Sequence, residues 1–179
     1  MTEPSDPDAG VASPVLVEDL FLTDVFLIKG RLENKTKRLS NTLEDHQRHF
    51  LTVRDATLVS LRNHEVIRAP TVMVNVDELI LAHELVAMTG DDALRRLAGG
   101  GGRRHRIRAF YNGSVQFEIG GLVEAGAYES QPVTKRKYFA MHAPVVRGLD
   151  LQHDELRILK SLDYAILRKD RMAYVYDFG

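Results

Sequence analysis

Apolar and polar residues alternate over short runs along most of the chain. In the run 25–32, the residues Phe26, Ile28, Gly30 and Leu32 fall on one face of a strand under the two-residue period. Gly30 inside this run indicates a bulge or the close approach of another backbone segment. Similar runs predict strands at 15–17, 50–53, 56–61 and 71–86, the last with a polar break at 75–78. The pattern favours a mainly β protein with small β-barrel or β-sandwich modules and short helices.

A sequence echo suggests that the chain contains two similar β-rich modules in tandem. The pattern F-x-I-x-G-x-L-E begins at Phe26 and returns as F-x-I-x-G-x-V-E at Phe117, ninety-one positions later. A repeat at fixed spacing indicates related units of folding. The offset falls to 89 between Phe50 and Phe139, so loops of different length are expected between the matched strands. The alternative is one β-rich domain whose strands share apolar patterning by coincidence.

Shifts in composition along the chain mark the expected boundaries of the tail, the two modules and the linker. Residues 1–14 contain three prolines and three acids without a basic residue, which predicts a disordered acidic tail. The first module is expected over 15–88. A linker with a short helix over 91–98, a four-glycine run and several arginines follows over 89–104. The second module is expected over 105–179.

Turn and breaker residues predict further elements within the modules. Pro70 is expected to interrupt the strands of the first module. Asn112-Gly113 predicts a hairpin between strands at 106–111 and 114–123, because both residues tolerate positive φ. Leucines three apart predict a helix over 150–162; they are Leu156, Leu159 and Leu162.

Composition limits the function classes. The 179 residues are 44% hydrophobic and carry a formal net charge of -1, so no global field attracts nucleic acid or an anionic membrane. The absence of cysteine excludes disulfides, thiolate metal sites and cysteine nucleophiles. The start of the chain has no basic, apolar leader, and its apolar runs are too short to span a bilayer. A cytoplasmic protein without membrane partners or a cofactor is therefore expected.

One stretch of the chain is strongly basic. Residues 95–108 contain six arginines and one histidine without an acid. Clustered guanidinium groups bind phosphates through forked hydrogen bonds. The alternative is a solvated linker whose arginines pair with acids such as Asp91 and Asp92. The candidate residues for a ligand or nucleic-acid site are Arg103, Arg104, Arg106, Arg108, Lys135, Arg136 and Lys137.

The C-terminal strand carries an aromatic stripe. Tyr174, Tyr176 and Phe178 alternate with Ala173 and other non-aromatic residues, which places the three rings on one face. Such a stripe packs in a core or forms a subunit interface, and the three residues are candidates for an interface. The alternative is a platform on which nucleic-acid bases stack.

Other chemistry-bearing groups favour structural roles. His46 and His49 lie three apart beside acids, but a metal site needs further ligands on a fixed frame, so a solvated pair is expected. The adjacent acids at 77–78 and 154–155 are expected in turns and caps, because adjacent carboxylates do not face each other across a cleft. The chain also contains no Walker loop, nucleophile elbow or HExxH motif. A non-enzymatic protein is predicted.

Part of the first module resembles an uncharacterised bacterial family, a domain of unknown function. Its pattern is I-x-G, then R-L-S-[DN]-x-L, then F-L-x-[LV]-x-D-A, and here these elements begin at Ile28, Arg38 and Phe50. The resemblance covers about seventy residues, implies an architecture and implies no activity. The spacing Arg104-x-x-x-Arg108 is similar to the start of PilZ domains, which bind cyclic dinucleotides. The segment 121–127 lacks the serine of the second PilZ motif.

The sequence therefore predicts a β-rich interaction or scaffold protein that binds a protein partner or itself as a homo-oligomer. The first alternative is nucleic-acid binding by a small barrel with few strands, loosely similar to Sm proteins. The basic residues at 103–108 and 135–137 would form its binding site. The second alternative is a cyclic-dinucleotide sensor that uses Arg104 and Arg108. The edges of small barrels pair readily with other strands, so the candidate edges are 79–85 and 172–178.

Overall fold

The alternating apolar runs form strands of a single antiparallel sheet. The computed structural model describes residues 18–45, 47–85, 103–129 and 135–179. These ranges contain one α-helix, α1 (Leu39–Leu43), and 3₁₀ turns at Val76–Glu78, Arg157–Lys160 and Lys169–Arg171. The strands are β1 (Asp19–Leu22), β2 (Phe26–Leu32), β3 (Phe50–Ser60), β4 (Val66–Asn75), β5 (Leu81–Glu84), β6 (Arg104–Tyr111), β7 (Phe117–Glu124), β8 (Tyr138–Arg147), β9 (Tyr164–Arg168) and β10 (Tyr174–Asp177). The predicted mainly β class is confirmed.

The two halves of the sheet have the same strand order. The full order is β10-β6-β7-β8-β9-β5-β1-β2-β3-β4. In each half the last strand therefore lies beside the first, followed by the second, third and fourth. The halves join where β5 pairs with β9, with Leu81 opposite Leu167 and Ala82 opposite Ile166. Among the described strands, β10 and β4 are the two edges of the sheet.

A bulge occurs at the same place in each half. The register between β2 and β3 shifts around Gly30, and the register between β7 and β8 shifts around Gly121. A Cβ atom on Gly30 would lie 2.7 Å from the carbonyl oxygen of Arg54, and one on Gly121 would lie 2.6 Å from that of His142. The bulge predicted at Gly30 is confirmed, because only glycine permits so close an approach.

Side chains from both halves share the hydrophobic core. One cluster consists mainly of first-half residues such as Phe21, Ile28 and Val53, together with Tyr138 and Ile166 of the second half. The larger cluster combines the interior of the second half with Leu20, Leu22, Leu27 and Leu81 of the first half. β1 is therefore buried on both faces, and residues of the second half contribute to the core on each of them.

Two local expectations are wrong, and a third is confirmed with a different loop. Pro70 lies within β4, where it is accommodated because β4 is an edge strand and the register skips opposite Pro70 at Asp55, whose φ is 48°. The segment 150–162 forms turns and a short 3₁₀ helix rather than an α-helix. The hairpin near Asn112 is present, but its loop spans 112–116 and Gly113 does not have a positive φ.

The predicted acidic tail, the first strand at 15–17, the helix at 91–98 and the four-glycine run lie outside the described residues. No described helix is both long enough and apolar enough to span a membrane.

Candidate functional site

Among the described residues, five of the eight large apolar side chains that are exposed lie at the two edges of the sheet, and the other three are Val25, Phe50 and Val145. Ile67 and Met73 on edge strand β4 are 40% and 64% exposed. On β10 the exposed fractions of Tyr174 and Tyr176 reach 69% and 57%, and Phe178 directly after it is 49% exposed. Edge strands of stable monomers usually carry charges or other protection against pairing. These two edges therefore have the character of contact surfaces.

The pairing of β6 with β10 brings two predicted groups together. Tyr174 lies opposite Phe110, and Tyr176 lies opposite Arg108. The N–H of Phe178 donates to the carbonyl oxygen of Arg106 over 2.9 Å. Opposite residues of an antiparallel pair project from the same face. The shared surface, called here the arginine–aromatic face, consists of Arg104, Arg106, Arg108, Phe110, Tyr174, Tyr176 and Phe178.

Contacts within the arginine–aromatic face order its side chains. The Arg108 guanidinium carbon lies 5.5 Å from the centroid of the Phe178 ring, within the range of a cation–π contact. The rings of Tyr176 and Phe178 meet edge to face at 4.7 Å. Glu118 on the neighbouring strand pairs with Arg147 at 2.9 Å and lies 3.9 Å from Arg108. In the described part of the chain no carboxylate forms an ion pair with Arg106, which remains exposed.

A polar cluster behind the face fixes the end of β10. The Tyr128 hydroxyl donates to Asp177 over 2.7 Å, and the His105 Nδ1 lies 3.3 Å from the same carboxylate. The Gly179 N–H donates to the other carboxylate oxygen over 2.8 Å. The hydrogen bond from Tyr128 is the main reason that the pKa of Asp177 falls to about 2. The same hydrogen bond raises the pKa of Tyr128 to about 12.

The remaining basic candidates lie in different settings. Arg103 precedes β6 and is exposed, while its carbonyl oxygen accepts from the Ala125 N–H over 3.1 Å. Lys135 and Arg136 are exposed before β8, and the Lys137 N–H donates to Glu44 near α1 over 3.0 Å. This basic segment is thus attached to the first half of the chain.

The geometry of β6 bears on the cyclic-dinucleotide alternative. Arg104 and Arg108 lie on one face of the strand, separated by four residues. At about 3.3 Å per residue, their Cα atoms are roughly 13 Å apart. Arg106 lies between them on the same face. The arrangement is a row of guanidinium groups along a strand rather than a pair converging on one small ligand.

The histidines do not assemble a metal site in the described part of the chain. His49 is exposed and His46 lies outside the described residues. No group of three or more metal-ligating side chains occurs among the residues described. His83 is buried against the Tyr164 ring at 4.4 Å, and burial lowers its pKa. It is a core residue, in agreement with its position in a strand.

A buried ionic group is present that the sequence did not indicate. Lys35 Nζ lies 2.7 Å from Asp19 and 2.5 Å from Glu84, and the side chains of all three are almost fully buried. The Leu39 N–H also donates to Glu84 over 2.9 Å. Burial raises the pKa of Asp19 to about 6. One oxygen of each carboxylate lacks a protein hydrogen-bond partner. This group joins β1, β5 and the loop after β2, and it is called here the Lys35 ion group.

Arg168 forms a clamp at the junction of the two halves. Its Nη1 donates to the carbonyl oxygen of Val76 over 2.6 Å, and its Nη2 lies 2.8 Å from Asp77. Its Nε donates to Asp170 over 2.5 Å, and its guanidinium carbon lies 5.8 Å from the centroid of the Tyr138 ring. Asp77 lies in a 3₁₀ turn, as expected of a turn acid. Arg168 therefore ties the end of β9 to the turn between β4 and β5.

Comparison of the chain with protein-family models, with curated proteins and with solved structures finds no match.

Proposed function

We propose that this chain is a non-enzymatic interaction protein that associates with a second copy of itself by adding a strand to the edge of its sheet. The observation that carries the proposal is the concentration of exposed apolar side chains on β10 and β4. Strand addition gains affinity from main-chain hydrogen bonds and specificity from alternate side chains. Both contributions are available at β10, where Tyr174 and Tyr176 project beside a backbone edge that pairs with no further strand among the described residues.

Replacing Tyr174 and Tyr176 together with lysine is expected to reduce the mass of the protein in solution to that of one chain. Lysine on an edge strand opposes pairing because its charge must be desolvated in the interface. The measurement is size-exclusion chromatography with light scattering over a concentration series. Val25→Lys is the matched control, because Val25 is 38% exposed and lies between β1 and β2 in the middle of the sheet. A wild-type mass of one chain at all concentrations, or an equal effect of Val25→Lys, would contradict the proposal.

The arginine–aromatic face supports a second candidate function, the binding of single-stranded nucleic acid. The specific observation is a row of guanidinium groups on β6 beside a row of rings on β10, with the Arg108 guanidinium carbon 5.5 Å from the centroid of the Phe178 ring. Surfaces of this kind bind single strands by stacking bases on rings while basic groups contact phosphates. The arginines and the aromatic residues are far apart in the sequence, and the pairing of β6 with β10 brings them together.

A fluorescently labelled oligothymidylate is expected to bind with an affinity that falls steeply as salt increases. Replacing Arg106 and Arg108 together with alanine should weaken binding and lower the slope of log affinity against log salt by roughly 1.4, for two phosphate contacts on a single strand. Arg157→Ala is the control, since that side chain is 62% exposed and pairs with Asp154 away from the face. Fluorescence anisotropy from 20 to 300 mM salt checks the prediction. The absence of binding at low salt would exclude this candidate.

A further inference from the structure

We infer that copies of this chain associate head to tail, with β10 of one copy pairing antiparallel with β4 of the next copy. The inference depends on the self-association proposed above and specifies its geometry. The observation that carries it is the junction between β5 and β9, where the chain already joins two sheet edges of the same kinds. The two free edges are the counterparts of the two strands joined at that junction.

The correspondence of the edges follows from the strand order. β5 and β10 are the last strands of their halves, and each lies beside the first strand of its half. β4 and β9 are the fourth strands and lie at the far side of their halves. The 3₁₀ turns that follow β4 and β9 are ninety-three positions apart, at Val76–Glu78 and Lys169–Arg171. A joint between β10 and β4 would therefore continue the sheet as the joint between β5 and β9 does.

The internal junction also predicts the register of the joint. Leu81 lies opposite Leu167 and Ala82 opposite Ile166. The corresponding positions are found by adding 93 to the residue numbers on β5 and subtracting 93 from those on β9. They place Tyr174 opposite Val74 and Val175 opposite Met73 of the next copy. Both edges present the required backbone groups. The Phe178 N–H donates to Arg106 on β6, and the Val76 N–H donates to His49 beside β3. Successive N–H groups of a strand point to opposite sides, so those of Val175 and Met73, three residues earlier, point away from the paired strand.

The side chains around β10 correspond to those that are buried at the internal junction. Leu22 lies opposite Leu81, and Phe110 lies opposite Tyr174, so these two pairs are counterparts. Leu22 and Leu81 are fully buried by the second half, whereas Tyr174 is 69% exposed. The counterpart of the Arg168 clamp on β4 is Asn75, which lies at the same end of its strand. The joint between copies therefore lacks the clamp and is expected to be more readily reversible than the internal junction.

Two proline variants test the geometry by blocking one edge each. Val175→Pro removes an N–H that faces the open side of β10, and Met73→Pro does the same on β4. Neither change removes a hydrogen bond to the neighbouring strand, and an edge strand tolerates proline where the missing N–H faces away from the sheet. Each variant alone is expected to have the mass of one chain. An equimolar mixture is expected to form a species of two chains, since one variant supplies an open β10 and the other supplies an open β4.

The outcomes separate this inference from the proposed function. Wild-type protein with the mass of one chain at every concentration would overturn both. Wild-type assembly that persists in Met73→Pro would support self-association but overturn the head-to-tail joint, because β10 would then be pairing with β10. The lack of a two-chain species in the mixture would also overturn it. Circular dichroism establishes that each variant is folded, and the Tyr174→Lys, Tyr176→Lys double variant replaces Val175→Pro in the mixture if that variant is unfolded.

Discussion

Replacing Lys35 with methionine is expected to lower the free energy of unfolding by about 3–5 kcal/mol at pH 7.5. Lys35 is the one cation within hydrogen-bonding distance of Asp19 and Glu84 in the described part of the chain, and its side chain is 3% exposed. Removing it leaves two carboxyl groups buried side by side, with the Leu39 N–H as the remaining donor to Glu84. An uncompensated buried charge is much more costly than the loss of an exposed ion pair.

Urea denaturation followed by circular dichroism measures this effect. Lys29→Met is the matched control, because Lys29 pairs with Glu155 in a setting where both side chains remain more than a quarter exposed. The control is expected to cost at most about 1 kcal/mol. Equal losses of unfolding free energy in the two variants would show that burial does not determine how much the Lys35 ion group contributes to stability.

The same group gives the protein a specific dependence on pH. The pKa of Asp19 rises from its ordinary value of 3.8 to about 6 in the folded chain. Between these values the folded state binds more protons at this site than the unfolded state, so its contribution to stability falls as pH rises through the window. Asp19→Asn cannot titrate and leaves one carboxylate facing Lys35. The stability of this variant relative to wild type is expected to increase from pH 4 to pH 7, and parallel profiles would contradict the assignment.

Several strands and the bulge at Gly30 were accessible from the sequence because they depend on local spacing. The two-residue alternation around Phe26 predicts β2, and Gly30 within it predicts the bulge that the backbone of Arg54 requires. The helix predicted over 150–162 was wrong because a three-residue spacing of leucines also fits a 3₁₀ turn, which has three residues per turn. The interruption predicted at Pro70 was wrong because the tolerance of an edge strand depends on its neighbours, which local pattern does not reveal.

The candidate site was only partly accessible for the same reason. The alternation of Tyr174 and Tyr176 predicted that they share a face, and the basic stretch was evident in the sequence. Their meeting depends on the pairing of β10 with β6, across more than sixty residues of chain. The Lys35 ion group was missed because its three members lie in separate segments and each is ordinary in its local context. Long-range pairing of this kind leaves no signal in one sequence.

Replacing Arg168 with methionine is expected to lower the free energy of unfolding by about 2 kcal/mol, because the buried carbonyl of Val76 loses its charged donor and keeps two weaker ones, the Tyr138 hydroxyl and the Leu79 N–H, at 3.3 Å each. The acids Asp77 and Asp170 remain more than half exposed, so water solvates them after the substitution. Arg171→Met is the matched control: Arg171 pairs with Glu78 at 3.4 Å near the surface, and its loss should cost about 0.5 kcal/mol. Urea denaturation compares the two variants. Because Arg168 joins the halves, hydrogen exchange should increase first in β5 and β9, and a uniform increase across the sheet would argue against its role as a clamp.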